Sequence, residues 1–131
     1  PFATGFDDSG WEVISIPHGL EYLPIEASGC ANYQGVAWYR KRFTLDSRLK
    51  GKQLFIHFEA IMGKSEVYVN GKLLKKQYGG YLPVILDVTN ELDWDGENVI
   101  AVKADNSDEP SYPVGLYLFW RYLSGLLVGG A

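Results

Sequence analysis

The sequence has a single cysteine, Cys30, and 2 histidines among its 131 residues. One thiol excludes an internal disulfide, and a four-ligand zinc site would have too few ligands to draw on. Positive charge is not in excess. The 12 Lys and Arg against 16 Asp and Glu leave a net charge of -4, whereas a protein that tracks nucleic-acid phosphates is basic. No segment keeps a 3.6-residue apolar period, so amphipathic helices are not expected. The chain is too short for a (β/α)₈ barrel, which takes roughly 200 residues or more. It also lacks an initiator methionine, so Pro1 is expected to be an internal start, and a signal peptide cannot be judged.

Hydrophobic residues make up 47% and charged residues 21%, the composition of an ordinary globular domain. Aromatics reach 15%, and there are 15 glycines, which favours short strands joined by tight turns. WEVISI, ending before Pro17, reads as a strand, whereas residues 20 to 35 show little periodicity and read as a long ordered loop. In VAWYRKRFTL, Trp38, Arg40 and Arg42 share one face and Tyr39, Lys41 and Phe43 the other. QLFIHFEAI sets Leu54, Ile56, Phe58 and Ala60 against Phe55, His57 and Glu59. Asn70-Gly71 between strand-like runs predicts a hairpin, because a type I′ turn needs positive φ at both central residues. Pro83 places YLPVILDVT at an edge or strand start, and NVIAVKAD, apolar on both faces, predicts a central strand. Such strands, six or seven of them at this spacing, predict an all-β sandwich or barrel, with a two-layer sandwich burying the alternate apolar faces.

Four strings carry a resemblance to a known family. They are FDDSGWEVISIPH (Phe6 to His18), YQGVAWYRKRF (Tyr33 to Phe43), VYVNGKLL with GGYLPVILDVT (Val67 to Thr89), and NVIAVKADNSDEPSYP (Asn98 to Pro113). In order and spacing, over about residues 6 to 113, they resemble the N-terminal sugar-binding domain of family 2 glycoside hydrolases. D-N-S-D-x-P-S-Y-P is similar to the β-galactosidase-like members. The resemblance implies a jelly-roll β-sandwich, galactose-binding-domain-like, and a non-catalytic accessory role. It also implies a partner, a downstream catalytic barrel that supplies the family's two glutamates. A periplasmic or secreted bacterial location is a further expectation by resemblance.

Beyond Pro113 the family pattern continues through a string resembling D-F-T-Y-F-G-G-I-Y-R-D-C-W. This chain instead reads VGLYLFWRYLSGLLVGGA from Val114 to Ala131, without an acidic residue. Codons chosen for the family string, read two bases out of register, encode the sequence from Leu116 to Leu127. The expectation is a frameshift near Pro113, with residues 1-113 as the jelly-roll domain and 114-131 as a divergent apolar tail adding a last strand. Arg121 and Gly115, Gly125, Gly129 and Gly130 argue against a membrane span. An apolar tail left exposed would favour self-association.

No catalytic residue, cofactor or metal is expected. His18 and His57 have no nucleophile or carboxylate at a telling spacing, and Cys30 has no basic neighbour in sequence to activate it. Asp105, Asn106, Asp108 and Glu109 cluster after a strand, but without an EF-hand pattern they read as a solvated turn rather than a calcium loop. By resemblance, Asp105 and Asn106 are the sugar-facing pair. Tyr33, Trp38, Tyr39, Tyr78 and Tyr81 suit stacking on pyranose rings, yet strand aromatics also fill sandwich cores. On that ground Trp38 and Tyr39 are assigned to the core, and Tyr33 and Tyr81, beside glycines, remain sugar candidates with Asp105 and Asn106. Lys50 to Lys52 and Lys75-Lys76 read as solvated turn charges. Three functions stay open: an accessory domain of a family 2 hydrolase, a free-standing carbohydrate-binding module, and a frameshifted remnant.

Overall fold

The computed structural model describes residues 1–16, 18–19, 21–22, 31–32, 35–61, 63–79, 82–105, 107, 117–120 and 126–130. Twelve strands are described: β1 (Glu12–Ile14), β2 (His18–Gly19), β3 (Glu21–Tyr22), β4 (Ala31–Asn32), β5 (Val36–Phe43), β6 (Phe55–Ile61), β7 (Lys64–Val69), β8 (Lys72–Tyr78), β9 (Val84–Asp87), β10 (Asn98–Asp105), β11 (Tyr117–Trp120) and β12 (Leu126–Gly130). One 3₁₀ turn, Ser47–Leu49, is capped by Asp46, whose side chain accepts from the Arg48 amide. A six-stranded sheet runs β1-β12-β5-β10-β7-β8, a four-stranded sheet runs β2-β11-β6-β9, and β3 pairs with β4.

The two larger sheets face each other. Tyr39, Val67, Ile100 and Val102 from the six-stranded sheet join Ile56, Phe58, Ile61 and Val84 from the other in one buried apolar cluster. The fold is an all-β sandwich of the jelly-roll kind. Strand β10 lies inside its sheet, and Val99 and Ala101 are as buried on its outer side as Ile100 and Val102 on its inner side. Its lack of alternation follows from burial on both faces. Strand β9, after Pro83, is an edge strand.

The β7–β8 hairpin turns at Asn70 (φ 49°) and Gly71 (φ 82°), the positive φ pair a type I′ turn demands. The Asn70 side chain donates to the Asn98 Oδ1 (2.8 Å) and to the Glu91 carbonyl (2.9 Å), and its Oδ1 accepts from the Val99 amide (2.9 Å). Asn98, fully buried, also accepts from the Asp93 amide and donates to the Asp93 carbonyl, at 2.7 Å each. This satisfied network ties the hairpin turn to the loop entering β10.

Three features differ from the sequence expectations. Within the span read as one loop, Glu21 pairs with Asn32 and Tyr22 with Ala31, so a two-stranded ribbon stands there. Lys75 and Lys76 are no turn charges: both sit in β8, Lys75 opposite Val67 and Lys76 opposite Glu66. The residues after 113 supply two strands where one was expected. Strand β11 lies between β2 and β6, and β12 lies between β1 and β5. The tail side chains, on which self-association would turn, lie outside the described residues.

Candidate functional site

Strand register places Asp105, the one sequence candidate among the described residues, at one end of the six-stranded sheet. Asp105 closes β10 and sits opposite both Val36, which opens β5, and Lys64, which opens β7. Lys64 in turn faces Tyr78, which closes β8. The chain segments holding Tyr33, Tyr81 and Asn106 attach at these neighbouring strand ends. Tyr33, Tyr81 and Asn106 themselves lie outside the described residues, as do Cys30, Asp108, Glu109 and the His18 side chain.

Asp105 is half-buried, and its Oδ1 accepts from the Ser107 amide (2.9 Å) and hydroxyl (2.6 Å). Burial pushes its pKa up, but the Ser107 bonds, with Lys64 and Lys103 nearby, outweigh this and hold the carboxyl below its ordinary value. Two residue pairs inward, on the same face, Lys103 faces Glu66, and Glu66 faces Lys76. The Lys76 ammonium lies 3.0 Å from Glu66 Oε1, and the Tyr68 hydroxyl donates to Oε2. The bond from Tyr68, with the neighbouring lysines, outweighs desolvation and keeps Glu66 below the usual range. Burial and Glu66 together push Tyr68 up to about 12. Lys64, Ser65, Glu66, Lys76, Gln77, Tyr78, Lys103 and Asp105 line a hollow of about 90 Å³ on this outer face. The sequence reading missed Lys64, Glu66 and Lys103; their alternation with Ser65, Val67 and Ala104 was the available signal.

Farther along the same outer face the N-terminal segment lies across the strands. Phe2 stacks on Tyr68 with ring centroids 4.9 Å apart and tilts toward Trp38 at 6.4 Å. Trp38 is therefore buried, but under this segment and outside the apolar cluster between the sheets, whereas Tyr39 belongs to that cluster. Arg40, fully buried, donates from Nε to Asp8 Oδ2 (2.8 Å) and from Nη1 to the Ala3 (3.1 Å) and Pro1 carbonyls. Arg42 reaches Asp8 Oδ2 at 3.3 Å and Glu97 at 3.0 Å. Desolvation raises the Asp8 pKa, but the two guanidinium groups outweigh it and leave the carboxyl below its ordinary value. These charges hold the fold together and expose no reactive group.

At the opposite end of the sandwich lies a mostly apolar surface hollow. A cleft of about 380 Å³ opens there between Phe43, Leu45, Leu49, Leu54, Phe55 and Val88. His57 lines this cleft and is exposed, and Thr44 supplies the one hydroxyl side chain in the same lining. Among the described residues no group of three or more His, Cys, Asp or Glu is placed to hold a metal ion.

The family model described as "Glycosyl hydrolases family 2, sugar binding domain" matches residues 7–125. The chain belongs to this family. The match extends past Pro113 into the segment that carries β11. A β-galactosidase of Thermoanaerobacter pseudethanolicus is 39% identical over 109 residues, covering 82% of this chain and 15% of that enzyme. A β-glucuronidase of Formosa agariphila is 34% identical over 125 residues, covering 89% of this chain and 13% of that enzyme. The crystal structure of a Bacteroides uniformis β-glucuronidase superposes with a TM-score of 0.76 at 28% identity, over 97% of this chain and 15% of that one. The chain thus spans about one seventh of the family 2 enzymes it resembles and matches their sugar-binding domain, not their catalytic part.

Proposed function

We propose that this family 2 domain works as a non-catalytic accessory to a catalytic barrel acting on a β-galactoside or β-glucuronide, the substrates in its relatives' names. Its sugar-facing end is the Asp105 end of the six-stranded sheet, with Asn106, Tyr33 and Tyr81 on the adjoining segments. What supports the reading is the strand register, which sets Val36, Asp105, Lys64 and Tyr78 side by side at one sheet end. A carboxylate held ionised accepts hydroxyl hydrogen bonds, and tyrosine rings stack on a pyranose, so the residue types suit a sugar.

Two measurements on the purified chain test this. Nitrophenyl β-galactoside and β-glucuronide should show no turnover above buffer, and a kcat in the ordinary enzyme range of about 1 s⁻¹ or more would end the non-catalytic claim. Amide chemical-shift mapping with galactose and glucuronate should move residues 33–36, 78–82 and 104–107. Shifts confined to the Phe43–Leu54 cleft end would move the sugar site to the other end of the sandwich.

A further inference from the structure

We propose that Asn70-Gly71 is a site of spontaneous covalent modification, closed while the domain is folded and open when it unfolds, and that the modified chain does not regain the fold. The reaction is deamidation, with water as its co-reactant. It is independent of what the domain binds.

Asn70-Gly71 is the one Asn-Gly pair in the sequence. With no side chain at Gly71 its amide is unshielded, so once that nitrogen has lost its proton to a solvent base it can attack Asn70 Cγ. The new N–C bond closes a cyclic imide, and Nδ2 leaves as ammonia. Water then opens the ring at either carbonyl, giving aspartate or iso-aspartate. Attack requires the Asn70 carboxamide to swing onto the Gly71 nitrogen, and the fold holds it elsewhere. Nδ2 donates to Asn98 Oδ1 and the Glu91 carbonyl, and Oδ1 accepts from the Val99 amide. The Asn70 amide itself donates to the Val99 carbonyl at 2.8 Å. Both ends of the carboxamide are thus tied to the start of β10 and the loop before it. The N-terminal segment also covers the turn, with the Phe2 carbonyl 4.0 Å from where a Gly71 side chain would begin.

The same bonds decide what becomes of the product. An aspartate at this position has no hydrogen to give, so Asn98 Oδ1 and the Glu91 carbonyl would each face another acceptor. Asn98 cannot turn its amide over to donate instead. Its Oδ1 also accepts from the Asp93 amide, and its Nδ2 donates to the Asp93 carbonyl. Asn98 is fully buried, so no water is at hand to replace the lost donor. Iso-aspartate threads an additional carbon into the main chain of a tight turn whose φ values are 49° and 82°. The network that protects Asn70 therefore rejects either product.

The test follows the tryptic peptide 65–72 by mass spectrometry while the whole chain stands at mildly alkaline pH, folded or in concentrated urea. Deamidation of Asn70 should be at least about a hundredfold slower in the folded chain, where the open state is a minor population. Phe2→Ala, which uncovers the turn, should raise the folded-state rate about fivefold. Equal rates in the folded and unfolded chain, or a Phe2→Ala chain that is less stable yet no faster, overturn the protection. Asn70→Asp, made as the product, should unfold at a clearly lower urea concentration than the parent or fail to fold. Asn90→Asp, exposed beside Glu91, should keep the parent's midpoint. Refolding of Asn70→Asp to the parent's midpoint, or an equal loss in both variants, overturns the claim that the network rejects the product.

Discussion

The two sheets of the sandwich treat their outer faces differently. Around Trp38, Arg40 and Tyr68 the outer face of the six-stranded sheet is covered by the chain's own N-terminal segment, which buries Trp38 and Arg40 and pairs them with Phe2 and Asp8. The four-stranded sheet is bare where its side chains are described: Phe55 is 55% exposed and Ile85 59% exposed, with His57 exposed between them. Burial on both faces makes β5 and β10 read as continuous runs, and burial on one makes β6 and β9 alternate. The difference also shows why arginine stands on the covered face. A charge can be buried there only because a carboxylate and backbone carbonyls come with the strap.

The largest expected effect breaks that covered face. Asp8→Ala leaves the buried Arg40 guanidinium without its counter-ion and should cost about 3–5 kcal/mol in urea unfolding followed by tryptophan fluorescence. A loss under about 1 kcal/mol would mean that Arg40 is hydrated and the strap is loose.

Acid should reproduce part of this. The folded Asp8 pKa lies below its ordinary 3.8, so its contribution is complete above that value. It is lost as pH falls below 3.8 through the folded value. The stability gap between the parent chain and Asp8→Asn should therefore be constant from neutral pH down to about 4 and close below it. A gap that stays open into strong acid would contradict the assignment.

Phe2→Ala removes an exposed ring stacked on Tyr68 and should cost about 1 kcal/mol by the same assay. Phe55→Ser, on the bare face, should change stability by no more than about 0.5 kcal/mol. A cost above about 1 kcal/mol there would show that the bare face is covered in solution, and the contrast between the sheets would dissolve.

Much of this contrast was legible in the chain. The alternation of QLFIHFEAI and the lack of it in NVIAVKAD state the burial of each strand, and Asn70-Gly71 states its turn. The candidate site was legible only in part. Asp105 could be singled out by resemblance, but Lys64, Glu66 and Lys103 could not, because each looks like an ordinary solvated strand charge until register sets it beside the others. Trp38 was readable as buried, but not that Phe2, thirty-six positions away in sequence, would cover it.

The sequence by itself determined the all-β class, the positions of the main strands, the hairpin at Asn70-Gly71 and the family. These are local properties: side-chain period, turn chemistry and short strings read without knowing what pairs with what. The tertiary structure alone decided strand order, the insertion of β11 and β12 into separate sheets, and the meeting of Asp105, Lys64 and Tyr78. Those depend on pairing between distant segments, where the side-chain period of 2 says which face a residue takes but not which strand it will face.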